Sequence, residues 1–242
     1  MSANIHVGCC GFPVAKQKYF ETFKTIELQF TFYSLPRLET AQKWADEAPE
    51  NFIWTMKAWQ GITHPGHMPT YRRSKMKEFD RQKLGLFRNN EQVFKAWQMT
   101  RQVADLLRAK IIVFQCPPLF KPTEETVLNL RHFFETIDRG PFQLALELRA
   151  NWVKALVREL CDELQLIHCV DPFKEDSVTK DVYYFRLHGK PPGEKMYRYT
   201  YSQQDLIRLK DKIDHLLDAR EVYVFFNNQT SFEDALRFSE LI

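Results

Sequence analysis

The sequence of 242 residues contains no apolar run approaching the length of a membrane span, and its opening Met-Ser-Ala-Asn-Ile-His-Val has no basic-then-apolar leader. C-x-x-C is missing. The five cysteines are odd in number, with Cys9 and Cys10 adjacent and no framework spacing, which sets aside a disulfide scaffold and a zinc ribbon. Neither G-x-G-x-x-G nor G-x-x-x-x-G-K-[ST] occurs, so nothing supports a nucleotide site of those kinds. An excess of charge is lacking too: a formal +3 is too small to imply a nucleic-acid or membrane partner without local clustering. The expectation is a soluble, cytoplasmic protein of a reducing compartment that makes no membrane contact.

What is present can bury a large core, since 44% of the residues are hydrophobic and 14% aromatic. Eight strand-like runs lie at 5–11, 25–33, 52–57, 111–115, 143–149, 166–171, 182–188 and 222–228. Helical patterns separate most of them, with Asn90, Thr123 and Ser202 (Asp205 three residues on) reading as N-caps, and Thr230 and Ser231 opening the last helix. Parallel neighbours need crossovers, so eight such units predict a single-domain TIM-type (β/α)8 barrel over residues 1–242. The competing architecture is an open doubly wound sheet. One irregular stretch at about 58–89 reads as a long loop or lid insertion. Within it, from Arg72 to Arg88, seven Lys or Arg face only Glu78 and Asp80.

The 25–33 run is unusual. Alternation puts Glu27 and Gln29 on one face and Ile26, Leu28 and Phe30 on the other, and a charge facing an enclosed space needs partners. Other runs also end in polar side chains: Lys57, Gln115, Glu147 and Arg149, Asp171, Arg186 and His188, and Asn227 and Asn228. Barrel sites sit at the carboxyl ends of the strands, so these residues are expected to gather there, under the 58–89 and 189–201 segments.

Gly8-Cys-Cys-Gly-Phe12, Ile26-Glu-Leu-Gln-Phe-Thr-Phe-Tyr33, Trp54-Thr-Met-Lys-Ala58 with Ile62-Thr-His64, Gln115-Cys-Pro-Pro118, Leu146-Glu-Leu-Arg149 with Trp152, Phe185-Arg-Leu-His-Gly189 and Phe225-Phe-Asn-Asn228 follow in this order. Together they resemble the YecE-like family, domain of unknown function 72, from about residue 5 to the C-terminus. The resemblance implies a TIM-type barrel and supplies no reaction. Gln29 stands where that family commonly has Asn, and Cys9-Cys10 replace a more usual pair of small residues.

The favoured reading is an enzyme doing acid/base chemistry on a small polar or anionic molecule, of hydrolase, isomerase or lyase type. Glu27, Lys57, Glu147 and His188 are the candidate catalytic residues. Gln29, Tyr33, His64, Gln115, Arg149, Asp171, Arg186, Tyr201 and Asn227 are candidates for substrate binding. The cofactor is left open with none favoured. A divalent metal held by acids and His188 is the lesser alternative, because no H-x-H or H-E-x-x-H pair occurs and Lys57 and Arg186 would repel a cation. The cysteines near strand ends read as small apolar fillers, with a redox role left open. Two other functions stand beside this one. The 72–88 segment, with Tyr71, Phe79 and Phe87, could bind nucleic acid or serve a nuclease-like barrel. The other is a barrel that binds without catalysis. Oligomeric state is open.

Overall fold

The computed structural model describes residues 3–190 and 196–242. Eight parallel strands alternate with helices as a TIM-type (β/α)8 barrel, as the strand count predicts. In chain order these are β1 (Asn4–Cys9), α1 (Lys16–Thr22), β2 (Thr25–Leu28), α2 (Leu38–Glu47), β3 (Ile53–Lys57), α3 (Glu91–Leu107), β4 (Ile111–Gln115) and α4 (Glu124–Thr136). There follow β5 (Gln143–Glu147), α5 (Lys154–Glu163), β6 (Leu166–Val170), β7 (Asp181–Leu187), α6 (Gln203–Asp214), β8 (Ala219–Phe226) and α7 (Ser231–Ser239). The hydrogen-bonded order is β1-β8-β7-β6-β5-β4-β3-β2, and a parallel bridge between Cys10 and Glu27 sets the end of β1 beside β2. The chain forms two compact units, one of residues 1–27, 49–53 and 167–242, the other of 28–48 and 54–166.

In the first unit β1, β8 and β7 run in register, Gly8 opposite Phe225 and Arg186 also opposite Phe225 from the other side. Gly8 is required by proximity: a Cβ there would fall 2.4 Å from the carbonyl oxygen of Thr25. The same approach is pinned by Tyr19 of α1, whose hydroxyl donates to Thr25 C=O at 2.9 Å and accepts from Cys9 N–H at 2.8 Å. One fully buried phenol thus ties the helix to two strands. Ser202 caps α6 through a reciprocal box with Asp205. Thr230 precedes α7 without a side-chain cap bond; its hydroxyl donates to the Asp234 carboxylate instead.

In the second unit Asn90 caps α3 by accepting from Gln92 and Val93 N–H, and Thr123 caps α4 through a box with Thr126. Phe87, Phe114, Phe133 and Phe134 pack ring against ring under these helices. The start of the 58–89 stretch is firmly built. Gly85, Leu86 and Phe87 N–H donate to the carbonyls of Gly61, Thr63 and Ile62. Gly85 adopts φ +86°, and a Cβ on it would meet the backbone of His64 at 2.3 Å.

Most strands differ from the sequence pattern by a residue or two at an end, and three of the differences bear on the site. β2 stops at Leu28, and residues Phe30–Phe32 form a 3-10 turn. Thr31 is the cause: its hydroxyl reaches the carbonyls of Leu28 and Lys57, at 2.8 and 2.7 Å, and draws the backbone out of the extended path. Gln29, at φ −84° and ψ −31°, therefore does not share a strand face with Glu27. β5 and β8 end at Glu147 and Phe226, so Arg149, Asn227 and Asn228 lie in the loops that follow. Residues 191–195 of the expected 189–201 roof lie outside the described residues.

Candidate functional site

The polar side chains expected at strand ends form two groups, each within its own unit. In the first unit, Glu27 of β2 and Arg186 of β7 meet in a two-pronged pair, Nε to Oε2 at 2.9 Å and Nη2 to Oε1 at 3.0 Å. Both side chains are 0% exposed. Tyr184, two residues before Arg186 and so on the same strand face, adds its hydroxyl to Glu27 Oε2 at 3.0 Å. Two residues past Arg186, His188 turns Nε2 toward Arg186 Nη1 at 3.3 Å. A guanidinium can only donate, so Nε2 accepts and the ring proton sits on Nδ1. That nitrogen faces Asp171 Oδ2 at 3.4 Å.

Asp171 follows β6 directly. Burial alone would push its carboxyl up, but the hydrogen bond from His188, Lys174 at 3.4 Å and the Phe173 N–H hold it below the ordinary carboxylate value. Tyr201 contributes from behind. Its hydroxyl accepts from Gly189 N–H at 2.8 Å, which positions the turn after His188, and burial raises its pKa. Cys10 approaches the same guanidinium, its sulfur 3.7 Å from Arg186 Nη2. Asn227 takes part only through its backbone, to Leu187 C=O, and among the described residues its side chain makes no hydrogen bond. The neighbouring Asn228 is the one built in, donating to Asp234 at 2.6 Å.

The second unit assembles its group from adjacent strands. Gln115 and Glu147 are register partners on β4 and β5, so their side chains stand side by side. Lys57 pairs with Val113, one same-face step below Gln115, and its long side chain climbs to Gln115 Oε1 at 2.5 Å. Arg149 folds back from beyond β5, placing Nε on Glu147 Oε1 at 2.8 Å and Nη2 on the same Gln115 oxygen at 3.0 Å. Lys57, Gln115 and Glu147 are buried, while the Arg149 side chain is 28% exposed.

His64 borders this group, buried, with Nδ1 2.8 Å from Thr63 Oγ1 and its ring edge-on to Phe32 at 4.7 Å. The Phe32 ring also underlies Lys57 Nζ at 5.2 Å. Burial first, then the charges of Lys57 and Arg149, pull the His64 pKa down to about 3, so the imidazole is neutral at neutral pH. Gln29 stands near the turn with a buried Oε1 that has no hydrogen-bond partner among the described residues. Tyr33 is covered by the Arg73 guanidinium at 3.8 Å. The alternation pattern has no means of finding Thr63, Phe32 or Lys174, which act from loops and turns. Tyr184 was legible as the residue aligned with Arg186 and His188.

Elsewhere the chemistry is thinner. The aromatics of the 72–88 region, Phe79 and Phe87, are buried together with Tyr71, and so cannot stack on bases. A groove of about 560 Å³ along α3 includes Phe94, Trp97 and Arg101, whose guanidinium pairs with Asp138. Among the described residues no group of three or more His, Cys, Asp or Glu is placed to hold a metal ion, and no helix is long and apolar enough to cross a membrane. The thiols of Cys9 and Cys161 are pushed up to about 12 and that of Cys116 well above its ordinary value, all by burial, so none is poised as a thiolate.

A (β/α)8 barrel with acids, bases and amides at the ends of its strands is the class defined by this architecture. The chain belongs to the family described as Protein of unknown function DUF72, whose model matches residues 16–242. It is 27% identical over 250 residues to the UPF0759 protein YunF of Bacillus subtilis, covering 90% of this chain and 82% of that one. Two solved structures share the fold. A DUF72 family protein from Enterococcus faecalis matches with TM-score 0.78 at 23% identity, over 99% of this chain and 97% of that one. One from Thermotoga maritima matches with TM-score 0.72 at 22% identity, over 98% of each chain.

Proposed function

We propose that this chain is an enzyme doing acid/base chemistry on a small polar or anionic molecule, and that Lys57 and Arg149 hold the anionic group. One observation carries the reading: two cationic side chains, Lys57 at the end of β3 and Arg149 in the loop after β5, converge on a single neutral oxygen, Gln115 Oε1, at 2.5 and 3.0 Å. A carboxylate or phosphate oxygen in place of that amide would receive the same donors as stronger charge-assisted bonds. The donors are already oriented, so little reorganisation opposes binding. Glu147, held by Arg149, is the carboxylate for proton transfer in this unit. In the first unit His188, oriented by Asp171, is the corresponding base once its Nε2 turns from Arg186 to the substrate, and Glu27 serves as the counter-charge that fixes Arg186.

Thermal unfolding with inorganic phosphate at low ionic strength tests the binding step. The midpoint is expected to rise with phosphate for the wild type and to rise clearly less for Lys57→Met, since a ligand bound only by the folded state stabilises it. A wild type indifferent to phosphate, and to a panel of small carboxylates and sugar phosphates, sinks the reading. A nucleic-acid partner remains as a second reading for the exposed cations Arg72, Lys75, Lys77, Arg81 and Lys83; oligonucleotide binding that collapses with added salt would favour it.

A further inference from the structure

His64 is held more closely than a loop histidine needs to be. Three backbone hydrogen bonds from the turn at 85–87 to the turn at 61–63 fix its backbone, and Gly85 presses against it where no Cβ fits. Phe32 fixes the plane of the ring. Thr63 then decides the tautomer. Among the described residues, Nδ1 of His64 is the acceptor that the Thr63 hydroxyl reaches. A buried hydroxyl with no other acceptor among the described residues is best satisfied by donating to Nδ1, which leaves the ring proton on Nε2. Nε2 makes no hydrogen bond among the described residues. The result is an uncharged N–H donor that shares the Phe32 ring with Lys57 Nζ, at 4.7 and 5.2 Å, and feels the charges of Lys57, Arg149 and Glu147, all within the second unit.

We propose that His64 is the electrophile of an enolisation, its Nε2–H hydrogen-bonded to the carbonyl oxygen of an anionic α-hydroxycarbonyl compound while Glu147 takes the proton from the hydroxyl-bearing carbon. This rests on the reading that Lys57 and Arg149 bind the anionic group. When the C–H bond breaks, its electron pair becomes the C=C bond of an enediol(ate). The carbonyl π pair moves onto the oxygen that His64 holds, and the proton goes to a Glu147 oxygen. The protonated Glu147 returns its proton to the neighbouring carbon, and a hydroxyl proton passes between the two substrate oxygens. The net change is aldose–ketose interconversion. No oxidant, reductant or second substrate is needed. A neutral imidazole suits this role because it donates to the developing oxyanion without first giving up a proton to solvent, and burial keeps it neutral.

The test is deuterium wash-in from D2O, followed by proton NMR, on dihydroxyacetone phosphate, ribulose 5-phosphate, fructose 6-phosphate and hydroxypyruvate. Wild type is expected to exchange a carbon-bound hydrogen of at least one of them. His64→Gln should lower that rate by about 100-fold or more, the effect of losing one oxyanion donor, yet keep the phosphate-induced rise in unfolding midpoint. Thr63→Val keeps the volume and frees the tautomer; it should fold as the wild type does and exchange about tenfold more slowly, and it serves where His64→Gln does not fold. Phosphate binding without exchange on any of the four compounds overturns the inference and leaves anion binding standing. Exchange at the wild-type rate in both variants also overturns it. Absence of any phosphate effect removes the anion-binding reading, and this inference with it.

Discussion

Both units carry a glutamate, an arginine and a histidine close together, yet the charges are used in opposite ways. In the first, Arg186 and Glu27 consume each other's polar atoms, and neither side chain is exposed at all. In the second, Arg149 divides itself between Glu147 and the neutral Gln115, and Lys57 joins it there. A fully desolvated pair matched oxygen for nitrogen is a brace: its main effect is that removing either half leaves an expensive charge behind. Cations gathered on an amide oxygen are a place where something more negative binds better. Residue type therefore does not separate structural charge from functional charge. The partner's charge and the exposure do.

Breaking the brace should have the largest effect. Arg186→Met is expected to cost about 3–5 kcal/mol in urea unfolding, because Glu27 is left buried without its cation; a loss under about 1 kcal/mol would put the two groups on the same footing. The next largest is a pH effect. Above pH 6.5 the His64 imidazole is neutral in both the folded and the unfolded chain, and its burial costs nothing. As pH falls from 6.5 toward about 3, the unfolded chain takes up a proton that the fold refuses, so stability declines. The slope approaches about 1.4 kcal/mol per pH unit. Subtracting the pH–stability curve of His64→Gln from that of the wild type should expose this slope, and a flat difference would mean His64 is solvated. Asp171 acts in the first unit at lower pH: its depressed carboxyl adds stability above its unfolded value near 3.8, which is lost as pH falls through the lower folded value.

Smaller still is the effect of Lys57→Met. Gln115 keeps its bond from Arg149, so unfolding should shift little, while phosphate affinity in calorimetry drops by about tenfold, or about 1.4 kcal/mol. Equal losses of stability in Lys57→Met and Arg186→Met would erase the contrast between brace and binding group. Last comes thiol reactivity. Cys9, Cys116, Cys161 and Cys169 are buried, whereas Cys10 is partly exposed beside Arg186. A thiol reagent added to the native protein should label Cys10 first, and Cys10→Ser should remove the fast phase. Rapid labelling of Cys9 or Cys169 would show the first unit to be looser than its brace implies.

Much of the fold was legible because it is written locally. Asn90, Thr123 and Ser202 announce their helices through side chains that bond two or three residues on. Tyr184, Arg186 and His188 fall into one line of contacts because a strand repeats every two residues. The same rule failed at Gln29, where the pull on the chain comes from Thr31 reaching the carbonyl of Lys57, 26 positions away. It was silent on His64, whose neutrality depends on Gly85, Phe32, Lys57 and Arg149 arriving from four separate stretches. It also overrated Phe79 and Phe87, which look like surface aromatics amid basic residues but are core.

By itself, then, the sequence determined the order of elements, the eight strands with helices between most of them, and the polar residues at strand ends. Those follow from periodicity, capping and the need to bury apolar faces, all set within a few residues. Tertiary structure alone decided which arginine neutralises which glutamate, where β2 stops, and that one buried histidine carries no charge. Desolvation and hydrogen-bond geometry depend on neighbours brought from far along the chain, and no short-range pattern records them.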